Sequence, residues 1–429
     1  MYTNLNCIPT YGTKWENRPC FFRKRKMYGM IDPYHNAGGT YSMETSRVAL
    51  VPVNTYEQPA VDAAVREAIG LLGGIGQFVQ QEEKILLKPN LLARVKPQKA
   101  ITTHPAVFAA VARLLREEGY RHLSYGDSPG NPATSAEKAA DESGITAAAE
   151  QFAIPMGDFS HGSTVLCEDG RVSSSFCLCN GVIEADALIN LPKMKTHALE
   201  RITGGVKNLY GCVWSFNKAA GHAKHPNSES FADMLCDLNR MTKARLHVMD
   251  GITAMEGNGP ASGTPVQMNM ILASADPVAL DSVFAALVHL DPAAVPTCVS
   301  GEAAGIGVMD HARITVLTPD GALTVAQAAE KYGNPHFDVF RGRLKKSILN
   351  NVGPLLPIFQ ERPRVDRNKC VGCGICEEAC PVEHKAVHAG KGQKARYDYQ
   401  KCIRCYCCQE MCPAKAITVH YPLLSRFLK

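Results

Sequence analysis

One cysteine pattern, C-x2-C-x2-C-x3-C-P, occurs twice near the end of the chain, as "CVGCGICEEACP" at 370–381 and "CIRCYCCQEMCP" at 402–413, offset by 32 residues. Seventeen cysteines occur in 429 residues, and nine of them fall between Cys370 and Cys412. A secreted protein with so many thiols is usually a short disulfide framework. This chain is long, and its first thirty residues lack a charged start followed by an apolar run. The expectation is a reducing cytoplasm and thiolates that bind metal. A zinc ribbon needs two C-x2-C pairs and stops there. A third cysteine and a proline, each present in both copies, match iron–sulfur spacing instead.

The roughly 55 residues from Asp366 resemble the bacterial two-cluster ferredoxin. The resemblance implies a small α+β iron–sulfur domain over 366–420, followed by a short tail (421–429). It implies two 4Fe–4S clusters, each held by three thiolates of one repeat and the fourth of the other. One cluster would take Cys370, Cys373, Cys376 and Cys412, and the other Cys402, Cys405, Cys408 and Cys380. Gly372 and Gly374 would let backbone N–H groups approach the sulfurs, and Pro381 and Pro413 would turn the chain after the fourth ligand. Cys407 departs from the pattern and reads as a spare thiol or a competing ligand; Cys408 keeps the spacing and is preferred.

Upstream, the chain reads as an α/β domain over 43–320, preceded by a mobile extension (1–42) rich in Tyr, Asn, Gly and Pro. "SRVALVPV", "KILLKPNLL" and "RHLSYGDSPG" read as strands, alternating with the helices "AVDAAVREAIGLLGGI" and "HPAVFAAVARLLREEGY". That rhythm predicts a mostly parallel sheet with helices on both faces. "DPVALDSVFAALVHL" reads as a helix capped by Asp276 with Pro277 in its first turn. The pattern weakens over 321–365, which reads as a connecting region and linker. A net charge of +5 gives no argument for nucleic acid, and no apolar run approaches a membrane span. No G-x-G-x-x-G follows a strand and no G-x4-G-K-[ST] occurs.

Polar clusters fall at four strand exits: "KPNLLARV" with Asn90, "GDSPGNP" with Asp127, "LPKMKTH" with Lys193, Lys195 and His197, and "MDGITAMEGNGPASG" with Asp250. Loops at the carboxyl ends of parallel strands line ligand crevices. Gly204-Gly205 ahead of "VKNLYG" reads as a turn into a helix N-terminus suited to an anion, with Lys193, Lys195 and Lys207 adding charge. His197 is an acid, base or ligand candidate, and Asp127 and Asp250 are candidate proton acceptors.

"LLKPNLL", "THPAV", "LPKMKTH", "TGGVKNLYG" and "MDGITAMEGNGP" together resemble the family called domain of unknown function 362, for which a fused ferredoxin is a familiar arrangement. "HALERITGGVKNLYG" is distantly similar to the lactate racemase segment that holds a nickel pincer cofactor, which implies ligand roles for His197 and Lys207. Val206 replaces that family's arginine, and its downstream histidine has only His222 and His225 as counterparts. Three functions follow: an oxidoreductase passing electrons between the clusters and an anionic substrate or cofactor, with a redox partner protein; a racemase-type enzyme with a His/Lys-anchored cofactor; or an electron shuttle whose α/β body docks a partner. A further cofactor in the α/β domain stays open.

Overall fold

The computed structural model describes residues 45–130, 134–215, 217–242, 244–342, 361–390 and 392–421. The expected N-terminal extension and the tail past Tyr421 lie outside them, as do residues 343–360 of the expected connecting region and linker. Among the described residues, the body opens with strands β1 (Ser46–Pro52), β2 (Ile85–Pro89) and β3 (Leu123–Tyr125), then a hairpin of β4 (Gly162–Leu166) and β5 (Ser175–Cys179). β6 (Ala187–Leu191), β7 (Lys193–His197) and β8 (Arg201–Thr203) follow, and then β9 (Ala244–Glu256), β10 (Thr264–Ser274), β11 (Ile314–Thr318) and β12 (Gly321–Thr324).

One sheet runs β12-β11-β1-β10-β9-β6-β2-β3, with β7 beside β9 and β8 beside β7. Parallel pairings (β1 with β11, β2 with β3 and β6, β9 with β6 and β7) outnumber antiparallel ones. Helices cover both faces, and the period-two geometry of a strand divides each apolar run between them. Val48 and Leu50 of β1 point into one core with helices Ser228–Thr242 and Pro277–Leu287, whereas Ala49 and Val51 point into the other with Gln58–Leu71 and Pro105–Glu117. Asp276 caps its helix as expected, accepting from the amides of Val278 and Ala279 at 2.8 and 2.9 Å.

Three expectations need correction. The "MDGITAMEG" stretch is not a loop, because β9 runs through it to Glu256. Gly251 marks close approach rather than a turn: a Cβ there would sit 2.9 Å from the Met194 side chain. "KMKTH" is also a strand, β7, and its alternation places Lys193, Lys195 and His197 on one face. The first part of the expected connecting region is regular structure as well: β12 pairs with β11, and Thr324 and Gln327 form a capping box opening helix Val325–Tyr332.

The C-terminal module adds β13 (Arg362–Val365), β14 (Val387–Gly390), β15 (Gln393–Tyr397) and β16 (Ile417–His420). β13 pairs with β16 and β14 with β15, closing a small core that contains Cys376, Cys380, Cys408 and Ile417. No described helix is long and apolar enough to cross a membrane.

Candidate functional site

Two cavities lie in the module. One, of about 320 Å³, is lined by Cys370, Cys373, Cys376 and Cys412, and the other, of about 290 Å³, by Cys380, Cys402, Cys405 and Cys408. Each therefore collects three cysteines of one repeat and one of the other, the crossed arrangement that a two-cubane domain needs. Gly372 and Gly374 take positive φ angles of 67° and 85°, which lets the turn wrap inward. Amide N–H groups of Ala395, Ala416 and Ala386 donate to the sulfurs of Cys370, Cys412 and Cys380 at 3.3–3.4 Å. Such donors favour thiolates bound to iron. Four soft thiolates around each cavity fit a 4Fe–4S cubane. Cys407 is buried but lines neither cavity.

The strand exits of the body converge as the parallel order requires, yet most of their charges are already paired. Asp250 accepts from Lys193 Nζ at 2.7 Å, Tyr56 OH at 2.8 Å and the His104 amide at 2.9 Å. Asp127 accepts from Lys88 Nζ at 2.7 Å and the Leu91 amide at 2.6 Å. Both carboxylates are buried and their lone pairs are held by internal donors, so their surroundings are those of structural ion pairs rather than general bases. Lys193 is likewise consumed, and burial lowers its pKa.

Lys195 donates to Asn90 Oδ1 at 2.9 Å and to the Ile101 carbonyl at 2.8 Å. Burial, reinforced by the charge of Lys207, pushes its ammonium well below the ordinary lysine value. Asn90 passes the contact on to Asn208 at 2.7 Å, and Asn208 to Asn190 at 2.7 Å. This amide chain locks the motif "VKNLYG" to the ends of β2 and β6.

The expected anion cradle at Gly204-Gly205 is filled from within. The amides of Gly205 and Val206 donate to the two oxygens of Asp281, at 2.6 and 3.1 Å. A Cβ at Gly204 would lie 1.9 Å from Asp281 Oδ1, which explains the glycine without an external ligand.

His197 and Lys207 have different surroundings. His197 Nδ1 accepts the amides of Leu199 and Glu200 at 3.1 Å each, so the proton sits on Nε2 and the ring is neutral. Burial and the nearby Lys207 charge lower its pKa to about 4. Nε2 lies 2.8 Å from Oε1 of Glu410, a residue of the iron–sulfur module. The approach is close but bent, because neither atom completes an aligned hydrogen bond. Burial alone would raise the Glu410 carboxyl pKa, but His197 and Lys207 outweigh it and hold it below the ordinary range. Lys207, half-buried, makes no hydrogen bond or ion pair with a described residue.

Glu410 is carried by the turn Cys407–Glu410, between Cys408 and Cys412. Its neighbour Gln409 is fully buried and donates toward Asn258 and the Gly259 carbonyl at 3.0–3.1 Å, while Asn258 Nδ2 donates to the Ile417 carbonyl at 3.0 Å. Arg201 beside the site stacks on Phe340, which stacks on Tyr421. The module is thus seated on the His197–Lys207 corner through the turn that joins its two cysteine sets. Cys408 lies in that same turn and lines the cavity of Cys402, Cys405, Cys408 and Cys380, which is taken as the inner one. The other cavity opens outward beside the exposed Cys373 and Val371.

Sequence reasoning missed Glu410, Gln409 and Glu200. Glu200 is fully buried, neither of its oxygens has a partner, and burial raises its pKa to about 8. His222, weighed only loosely, is buried against Phe231 at 4.2 Å with Nδ1 unpartnered.

Comparison with known proteins agrees with this organisation. The model of the domain of unknown function 362 matches residues 85–286, and that of a 4Fe–4S dicluster domain matches residues 362–413. A thylakoid-associated protein from Synechocystis sp. is 37% identical over 260 residues, covering 60% of this chain and 79% of that protein. Among solved structures, the lactate racemase apoprotein from Thermoanaerobacterium thermosaccharolyticum aligns at 11% identity with a TM-score of 0.35, over 53% of this chain and 54% of that one. A Thermotoga maritima protein aligns at 12% identity with a TM-score of 0.32, over 57% and 59%. The chain spans just over half of each of these two structures, and at such scores neither bears on its chemistry. By the family match and the relative together, the chain belongs to the family of the domain of unknown function 362, here joined to a C-terminal domain that holds two 4Fe–4S clusters.

Proposed function

We propose that the protein is an iron–sulfur oxidoreductase that passes electrons between its two clusters and an anionic substrate or cofactor held beside His197 and Lys207. The contact that carries this reading is the 2.8 Å approach of Glu410 to His197, because it seats the turn between the two ligand sets directly on the polar corner of the body. When bound, 4Fe–4S clusters supply one-electron transfer. Cys402, Cys405, Cys408 and Cys380 are assigned to the inner cluster, and Cys370, Cys373, Cys376 and Cys412 to the outer one.

Lys207, which makes no ion pair with a described residue, supplies positive charge for the anion. His197, fixed as the Nε2–H tautomer by two backbone amides, supplies an oriented donor. Gln409 and Asn258 exclude water from the junction. The exposed side of the outer cavity, at Cys373 and Val371, is where a redox partner protein gains access.

The test uses the full chain with both clusters, reduced chemically and freed of excess reductant. Small anionic acceptors that reoxidise the wild type should fail with Lys207→Ala, while its iron content is unchanged. A Lys207→Ala protein reoxidised as fast as wild type by every such acceptor would refute the reading.

A further inference from the structure

Buried polar groups in folded proteins are nearly always satisfied, so a cluster of exceptions marks a place where something polar belongs. Five such atoms belong to four residues, each of which feels the charge of Lys207. His197 Nε2, both oxygens of Glu200, Nδ1 of His222 and Oε1 of Glu410 are all buried without an aligned partner. Lys207 acts electrostatically on His197, Glu200, His222 and Glu410 alike, and it has no ion-pair or hydrogen-bond partner among the described residues. Elsewhere in the body the charges are matched: Lys193 with Asp250, Lys88 with Asp127, and Asp281 with two amides.

Besides Glu200, a second carboxyl group sits among these residues, and it comes from the module rather than the α/β domain. Glu410 reaches in from the module with 13% of its side chain exposed and brings Oε1 to 2.8 Å from His197 Nε2. The counterpart of Glu410 one repeat earlier, Glu378, is exposed. The cubane framework therefore does not demand burial of a carboxylate at that position.

Building on the reading of an anion pocket at Lys207, we propose that Glu410 holds the place of a ligand carboxylate, so that a small carboxylate entering the pocket displaces Glu410 from His197 and loosens the turn carrying Cys408. Occupancy of the pocket is then reported to the clusters through their own ligand loop. The unpartnered Glu200 carboxyl suits a ligand with a second polar group.

Acetate, titrated by calorimetry at constant ionic strength into the full chain with both clusters, tests this. Glu410→Ala leaves the carboxylate position open. It should bind acetate about tenfold more tightly than wild type, the ratio expected when one close contact of a buried carboxylate, worth about 1.4 kcal/mol, no longer has to be displaced. Glu410→Gln, which keeps the shape and serves if Glu410→Ala fails to retain its clusters, should shift the same way. The double variant Glu410→Ala/Lys207→Met should lose the gain. In wild type, saturating acetate should speed hydrogen exchange in the turn Cys407–Glu410. Equal, Lys207-dependent affinity in wild type and Glu410→Ala would overturn the displacement while leaving the anion pocket standing. Absence of saturable binding in every protein would overturn both.

Discussion

Glu410 of the iron–sulfur module lies 2.8 Å from Nε2 of His197 in the α/β domain, and this contact joins the two domains at their most polar point. Around it, Gln409 satisfies carbonyls of the "GNGP" turn, and Glu361 pairs with Arg201 at 3.6 Å. The junction is built of specific polar contacts rather than a broad apolar face, so it is sensitive to single charges.

Charge reversal should open it. Glu410→Lys places a cation against Lys207 and leaves His197 without its acceptor. Small-angle scattering of the full chain should show an expanded particle, and the amides of the turn Cys407–Glu410 should exchange faster. Iron and sulfide content should stay at the wild-type level, because Glu410 is not a cluster ligand. An unchanged scattering profile would contradict the contact.

The cysteine assignment separates neighbours. Cys405→Ala should lose about half of the iron and sulfide, since one of two cubanes loses a ligand. Cys407→Ala should retain nearly all of it, because Cys407 lines neither cavity. Anaerobic metal analysis checks both.

These cysteines were legible in the sequence because cubane ligation is read from local spacing. The rest of the site was only half legible. Lys193, Lys195, His197, Asp127 and Asp250 stood out as polar groups at strand exits, and the fold does bring them to one end of the sheet. Their roles depended on cross-strand pairing: Lys88 finds Asp127 and Lys193 finds Asp250 only once β2, β3, β7 and β9 lie side by side. The alternation in "KMKTH" was a readable strand signal, masked by its charge. Glu410 was not readable at all, because Glu378 occupies the same place in the first repeat and only docking distinguishes them. Glu200 was hidden for the same reason, since nothing in "HALERIT" shows that its carboxylate ends up buried.

The Lys193–Asp250 pair should behave as a structural element. Asp250→Ala leaves a buried lysine uncompensated and should cost about 3–5 kcal/mol in denaturant unfolding. Replacing both residues, as Lys193→Met/Asp250→Ala, should recover much of that loss. If Asp250→Ala leaves stability intact and abolishes activity alone, Asp250 is a functional base after all.

Glu200 gives a pH dependence. Its folded pKa, raised by burial to about 8, lies above the ordinary glutamate value, so the folded state keeps a proton that the unfolded chain releases. Stability from this group is therefore present at acid pH and is lost as pH rises from the ordinary carboxyl range toward 8. Glu200→Gln should melt like wild type near pH 5. Near pH 8 it should be more stable by about 2 kcal/mol, the order of one unpaired buried carboxylate. A thermal melt series over that range decides it.

The central claim, that the inner cluster sits against the Lys207 corner while the outer one does not, is tested most directly by an EPR-monitored redox titration of the full chain in wild type and Lys207→Met. Loss of the Lys207 charge should lower the potential of one cluster by on the order of tens of millivolts and leave the other nearly unchanged. Two potentials that stay fixed, or that move together by the same amount, would contradict the arrangement.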